Sequence, residues 1–242
     1  MLYMKVLDLG CGWGSVGLYV AERYPTSSVI CVSNSNTQRE YIMGVAKRRG
    51  FGNIQVHTGD INDFDFGAEH KGSFDRTISI EMFEHMKNYE ALLAKVASWL
   101  RPGGRLFVHI FVHRLFAYHY TIEREDDWMS KYFFTGGTMP SDMLLSYFQR
   151  DLRLCSHWHV DGNHYAKTLL AWLHRMDNNR LRVMKVMRRC YGGSEANARI
   201  WWVRWRLFFY ACAEIFALKT TKNPSGHEYF VSHYLFEKPF KN

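Results

Sequence analysis

The first half of the chain alternates short apolar runs with amphipathic stretches. Lys5-Val6-Leu7-Asp8-Leu9 reads as a buried strand closed by Gly10, and residues 14–24 read as a helix ended by Pro25. A second strand is expected at Val29–Val32. A helix follows over Thr37–Arg49, with Tyr41, Ile42, Val45 and Ala46 on one face and Gly50 in the cap position. Strands are then expected at Ile54–His57, Phe74–Ile80 and Arg105–Phe111. A helix over Tyr89–Leu100 lies between the last two, broken by Arg101-Pro102-Gly103-Gly104.

Strands separated by helices in this rhythm predict a parallel sheet with right-handed crossovers. Such a sheet takes its ligands at the carboxyl ends of its strands. The expected class is α/β: a Rossmann-like, mostly parallel sheet with helices on both faces.

The second half is less regular. Residues 152–159 read as a further strand and 164–189 as a helix. From residue 201, Trp201, Trp205, Phe208, Phe209, Cys212, Ile215 and Phe216 fall on one helical stripe, and Glu228–Phe236 reads as the last strand. The expectation is a single domain over 1–242: a cofactor-binding core at 1–111, a helical cap over the strand ends at 112–200, and a final helix and strand at 201–242. Almost nothing precedes the first core strand.

Composition narrows the classes. With 242 residues, 47% hydrophobic and 22% charged, the chain can bury a substantial core. The net charge of +8 is scattered. Its densest patches, Lys47-Arg48-Arg49 and Arg188-Arg189, are not interleaved with aromatic residues, so no nucleic-acid partner is expected. The most apolar stretch, Ile200–Leu218, contains Arg204, Arg206 and Glu214, so no transmembrane segment is expected. Cys11, Cys31, Cys155, Cys190 and Cys212 form no CxxC pair. They indicate free thiols in a reducing, cytoplasmic setting and give no metal signature.

Asp8-Leu9-Gly10-Cys11-Gly12-Trp13-Gly14 follows a strand and opens a helix. The spacing is GxGxG rather than GxGxxG, and the acidic residue precedes the glycines. Both points favour S-adenosylmethionine over a dinucleotide. Asp8, Gly10 and Gly12 are the expected cofactor residues of this turn. Asn34 and Gln38, after the second strand, are placed for ribose hydroxyls, although Asn36-Thr37 also suits a helix cap. Asp60 and Ile61, after the third strand, are placed for the adenine amine and ring.

The fourth strand runs into Glu81-Met82-Phe83-Glu84-His85. On a helical turn Glu81, Glu84 and His85 share a side. Two carboxylates this close raise the pKa of one. An alkylamine is protonated at neutral pH, with a pKa of about 10. A methyl acceptor of that kind therefore needs a group to take its proton, and a histidine or a raised carboxyl suits. Aromatic residues, 16% of the chain, can enclose such a cation.

Several runs together are recognisable: VLDLGCGWGS from Val6, EMFEHMKNY from Glu81, FVH from Phe107, YFFTGGTMPS from Tyr132, HW at His157, HYAKT from His164, WR at Trp205 and HYLF from His233. On these the chain resembles the coclaurine N-methyltransferase family, within the larger group that holds the cyclopropane fatty acid synthases. The resemblance covers nearly the whole sequence. It implies a class I methyltransferase fold with a seven-stranded sheet, S-adenosylmethionine as cofactor and a small-molecule amine substrate, for example a benzylisoquinoline alkaloid. It implies catalytic roles for Glu81, Glu84 and His85. Through the cyclopropane synthases, which hold a bicarbonate as base, it implicates Glu84, His109 and Tyr165. Cys212 resembles a cysteine once assigned as nucleophile in those synthases, while its place on the apolar stripe favours the core. The family also carries a helical segment ahead of the Val6 strand that is not in this sequence. The competing expectations are a lipid-modifying enzyme of the cyclopropane synthase type and a non-catalytic remnant. A homodimer is a further expectation.

Overall fold

The computed structural model describes residues 3–219 and 226–240. The elements run in the order β1 (Lys5–Leu9), α1 (Ser15–Arg23), β2 (Ser28–Ser33), α2 (Asn36–Arg49), β3 (Ile54–Thr58), β4 (Phe74–Ile80), α3 (Tyr89–Trp99), β5 (Leu100–His113), β6 (Tyr118–His119), α4 (Trp128–Tyr132), β7 (Thr138–Met139), β8 (Arg153–Val160), α5 (Gly162–Asn178), α6 (Arg180–Cys190), α7 (Glu195–Ala217) and β9 (Tyr229–Glu237). Seven strands form one sheet in the order β3-β2-β1-β4-β5-β9-β8. The pairs from β3 to β5 are parallel, and β9 is antiparallel to both β5 and β8. The expected fold class is the observed one.

Central strands are covered on both sides, so β1 and β2 are apolar almost throughout. On one face Leu7, Leu9, Ile30 and Val32 pack with Leu93, Val96 and Trp99 of α3. On the other, Val29 and Cys31 pack with Ala21 of α1 and Ile42 and Ala46 of α2. The α5–α7 pair continues that second face, where Leu169, Cys212 and Phe216 meet Phe111. Local signals fix the helix ends. Ser35 caps α2 by accepting from the Gln38 amide, and Gly50 closes it in the left-handed region, with the basic residues Lys47, Arg48 and Arg49 in its last turn. The cap is thus Ser35, one residue before the expected Asn36-Thr37.

Three expected boundaries move. The Arg101–Gly104 break is a bulged start of β5, which pairs with β4 from Leu100 with a register shift between Phe74 and Arg76. The helix expected over 164–189 is two helices, α5 and α6, meeting at Asn179. The last helix begins at Glu195, not 201, because Ser194 caps it by accepting from the Asn197 amide. The stretch 112–200 is also not wholly a cap, since β8 leaves it to form the edge of the sheet. The β6–β7 ribbon within that stretch carried too short a pattern to be seen in the sequence. The final segment 201–242 includes residues 220–225 and 241–242, which lie outside the described residues. No helix among the described residues is long and apolar enough to cross a membrane.

The α5 start is wedged between the end of α7 and the start of β9. A Cβ at Gly162 would lie 2.3 Å from the Phe216 carbonyl oxygen and 2.4 Å from that of Tyr229. Both obstacles are backbone, so neither can rotate away. Gly162→Ala is expected to destabilise the fold by about 1–3 kcal/mol, read as a lower urea midpoint at unchanged slope. An unchanged midpoint would show that this junction is loose.

Candidate active site

The strand order reverses between β1 and β4, so the crevice at their carboxyl ends is the topological switch point. A cavity of about 450 Å³ opens there. Gly10 and Gly12 follow β1, Asn34 and Gln38 follow β2, Asp60 and Ile61 follow β3, and Glu81 and His85 follow β4, all in its wall. Six of the seven residues expected to bind the cofactor therefore line one space. The turn works because its glycines take conformations that residues with side chains rarely adopt. Gly10 has φ 82°, and its missing Cβ would fall 2.6 Å from Met82; Gly12 has φ 52° and faces open space. Ser33 donates to Gln38 Oε1 at 2.5 Å, which leaves the Gln38 amide hydrogens for the cavity. Asp60 spends Oδ1 on the amide and side chain of Asn62, both at 2.9 Å, and keeps Oδ2.

The seventh expected residue, Asp8, stands elsewhere. It is buried beneath the turn and accepts from the Gly17 amide at 2.9 Å, latching β1 to α1. The acidic residue ahead of the glycines holds the turn from behind and is not part of the cavity wall.

A second cavity of about 300 Å³ lies alongside, walled by aromatic side chains including Phe111, Tyr120, Phe134, Tyr165, Trp172 and Tyr229. Glu81 and His85 line both cavities, and Glu84 lines the second only. These three do not sit on one face of an α-turn, as their spacing suggested. Glu81 takes φ 52°, outside the usual region for a residue with a side chain, and residues 83–85 form a single tight 3₁₀ turn. The reversal buries Glu84 and turns His85 out to solvent.

Glu81 is the hub. Its amide donates to the His109 carbonyl at 3.0 Å. His109 Nε2 lies 2.9 Å from Glu81 Oε1, off the hydrogen-bond axis, and Tyr165 donates its hydroxyl to Oε2 at 3.4 Å. On its far side His109 Nδ1 meets His233 Nε2 at 2.8 Å. Burial, with His109 adding to it, lowers the His233 pKa and favours its neutral form. The His109–His233 contact needs one donor and one acceptor, so the two rings share a proton position that depends on both tautomers.

Glu84 is 3% exposed, with Oε2 buried and unpartnered. Burial and then the Glu81 charge raise its pKa well above the ordinary carboxylate value, which favours its neutral form. Cys212 packs among Ala166, Leu169 and Phe216, and burial pushes its thiol up to about 12. It is a wall residue without nucleophilic character. His109 and Tyr165, which the resemblance linked to a bicarbonate, both turn to the side chain of Glu81.

Sequence reasoning assigned no role to His233 or Lys95. His233 lies in a quoted run but its role needs the β5–β9 pairing, which sets it opposite His109. Lys95 of α3 donates to the carbonyls of Ile61, Asn62 and Phe64 at 2.8, 2.9 and 3.2 Å, holding the cavity rim. Its only signal was a cation among the apolar positions of α3.

The model of the mycolic acid cyclopropane synthetase family matches residues 3–223. The chain belongs to that family. It is 39% identical over 238 residues to (S)-coclaurine N-methyltransferase of Thalictrum flavum subsp. glaucum, covering 97% of this chain and 63% of that protein. The cyclopropane-fatty-acyl-phospholipid synthase of Escherichia coli K12 is 33% identical over 175 residues, 71% of this chain and 42% of the synthase. A crystal structure of coclaurine N-methyltransferase bound to N-methylheliamine and SAH superposes with a TM-score of 0.86 at 36% identity, over 97% of this chain and 67% of that one. The chain thus spans less than two thirds of the curated N-methyltransferase it matches.

Asp8 yields a pH test. Burial raises its carboxyl from 3.8 to about 6, against the opposing Gly17 hydrogen bond. Between these values the folded state keeps a proton that the unfolded chain has lost, so this group's contribution falls as pH rises from about 4 to 6 and is level above. Asp8→Asn keeps an acceptor for Gly17 and removes the titration. Relative to the parent, it should gain about 3 kcal/mol of unfolding free energy between pH 4 and 7, measured by urea titration at each pH. Parallel curves for the two proteins would refute the raised carboxyl.

Proposed function

We propose that the chain is an S-adenosylmethionine-dependent N-methyltransferase acting on a small amine of the benzylisoquinoline class, coclaurine among the candidates, in a reducing cytoplasmic setting. The observation that carries the reading is the shared wall: Glu81 and His85 border both the glycine-turn cavity and the aromatic cavity. The first cavity fits the cofactor. Gly12 leaves room for close approach to the backbone, Asn34 and Gln38 reach toward ribose hydroxyls, and Asp60 with Ile61 meets the adenine. The cofactor's sulfonium supplies an already activated methyl group, so the protein's work is alignment and proton removal.

The residues divide that work. The aromatic cavity takes the apolar body of the amine, and its ring faces favour the ammonium. Glu81 holds the ammonium at the junction, supported by His109 and Tyr165. His85, exposed yet bordering both cavities, takes the proton and releases it to solvent. Glu84, kept neutral, donates a hydrogen bond without competing for the cation. The likeness to (S)-coclaurine N-methyltransferase supports an amine acceptor, and the cyclopropane synthase likeness makes an olefinic phospholipid the rival acceptor to test.

Titration calorimetry of this chain with S-adenosylhomocysteine should show binding in the micromolar range. Gly12→Val, strained at its positive φ and projecting into the cavity, should weaken it by roughly 100-fold or more while leaving the circular dichroism unchanged. A folded parent with no binding would refute the methyltransferase reading. Product mass analysis against an amine panel and an unsaturated phospholipid should place the methyl group on nitrogen; transfer only to the lipid would replace the amine reading.

Given an amine substrate, Glu81→Gln should lower kcat/KM by about 100-fold or more. Glu84→Gln, which replaces a neutral carboxyl by a neutral amide, should lower it much less. Equal losses, or the reverse order, would reassign the charged member of the pair.

A further inference from the structure

The sheet carries a second cluster of ligating side chains, on the side away from the proposed reaction. Residues paired across strands share a face, and faces alternate along a strand. His157 pairs with Tyr234, Trp158 with His233 and His159 with Ser232. His157, His159, Ser232 and Tyr234 therefore share one face. His233 and its partner His109 share the other.

Asp142 meets both histidines. His157 Nε2 lies 3.0 Å from its Oδ1, and His159 Nε2 lies 3.1 Å from its Oδ2. The three ligating atoms fall within 4.8 Å of one another. From this geometry we infer that Asp142, His157 and His159 form a binding site for a divalent transition-metal ion of the zinc type.

The cluster is built rather than accidental. Asp142 is buried, its amide donates to the His113 carbonyl at 2.9 Å, and its own carbonyl accepts from the Tyr234 hydroxyl at 2.5 Å. Ser232 donates to Asp142 Oδ1 at 2.5 Å. His157 stacks on Tyr234 with centroids 4.5 Å apart and rings 7° from parallel. Two of the three ligands are thus held before any ion arrives, with a hydroxyl on the carboxylate as outer support. His159, its side chain 52% exposed, is the member free to swing inward, and solvent completes the coordination. Two imidazoles and one carboxylate suit zinc and its neighbours and disfavour calcium or magnesium.

Such an ion would clip the segment after β7, whose Met139 walls the aromatic cavity, to the exposed edge strand β8. Little in the sequence points to it. His-x-His on a strand sets two rings on one face, but the third ligand lies 15 residues before the first of them, in a loop.

The test uses the whole chain, stripped with a chelator, dialysed and titrated with zinc chloride against a chromophoric competitor. One equivalent should bind tightly and raise the melting midpoint. His159→Gln, at an exposed position, should fold normally, weaken that equivalent by on the order of 100-fold and lose the thermal shift. His174→Gln, at an exposed histidine on α5, should behave as the parent. Cobalt in place of zinc should give intense visible bands in the parent and not in His159→Gln. No tight equivalent in the parent, or equal uptake and thermal shift in parent and His159→Gln, would show that the triad is a hydrogen-bonded network only.

Discussion

The arrangement rests on one close contact. The missing Cβ of Gly10 is where the Met82 side chain sits, 2.6 Å from the position a Cβ would take. Two loops from neighbouring strands, one after β1 and one after β4, thereby press together at the point where strand order reverses. The glycine turn faces the cavity on its own side, while Met82 fixes the direction in which Glu81 and His85 leave β4. A larger residue at position 10 would separate the loops and with them the two cavities that Glu81 and His85 join.

Electrostatic strain is concentrated at the same place. A residue with a side chain at positive φ is costly, as is a carboxyl with an unpartnered buried oxygen, and Glu81 and Glu84 supply one each. Their surroundings hold them there. The Glu81 amide is tied to His109, Tyr165 reaches its carboxylate from α5, and Glu84 relieves repulsion by staying protonated. The loop therefore sets two carboxyls at one junction, Glu81 bordering both cavities and Glu84 the aromatic cavity alone, with Glu84 pushed toward its neutral form by burial and by Glu81.

The cofactor half was legible because its signals are local. Strands β1 to β4 and helices α1 to α3 announce themselves by period, cap and glycine. The fold places residues following each strand at one crevice whatever their identity, and Asn34, Gln38, Asp60 and Ile61 needed only that rule. Asp8 was misplaced because sequence shows the strand but not which way its side chain turns. The segment after β4 was legible as a place to look and not in shape: nothing in Glu81-Met82-Phe83-Glu84-His85 declares a left-handed residue. His109 and Tyr165 came only from the family resemblance, and His233 became meaningful only through the register of β5 against β9. Non-local pairing is the information a single sequence withholds.

The aromatic cavity follows from the same asymmetry. Its wall draws Phe111 from β5, Tyr118 and Met139 from the β6–β7 ribbon, Tyr165 and Trp172 from α5, and Phe208 and Cys212 from α7. None of these residues is tied to a turn conformation or a cap, and of them only Tyr165 reaches the Glu81 carboxylate. The glycine-turn crevice is fixed by backbone geometry, the junction by one strained loop, and the aromatic wall by side chains drawn from β5, the β6–β7 ribbon, α5 and α7. Under the proposed function, acceptor choice follows from packing across the second half of the chain, which is also where the sequence pattern was weakest.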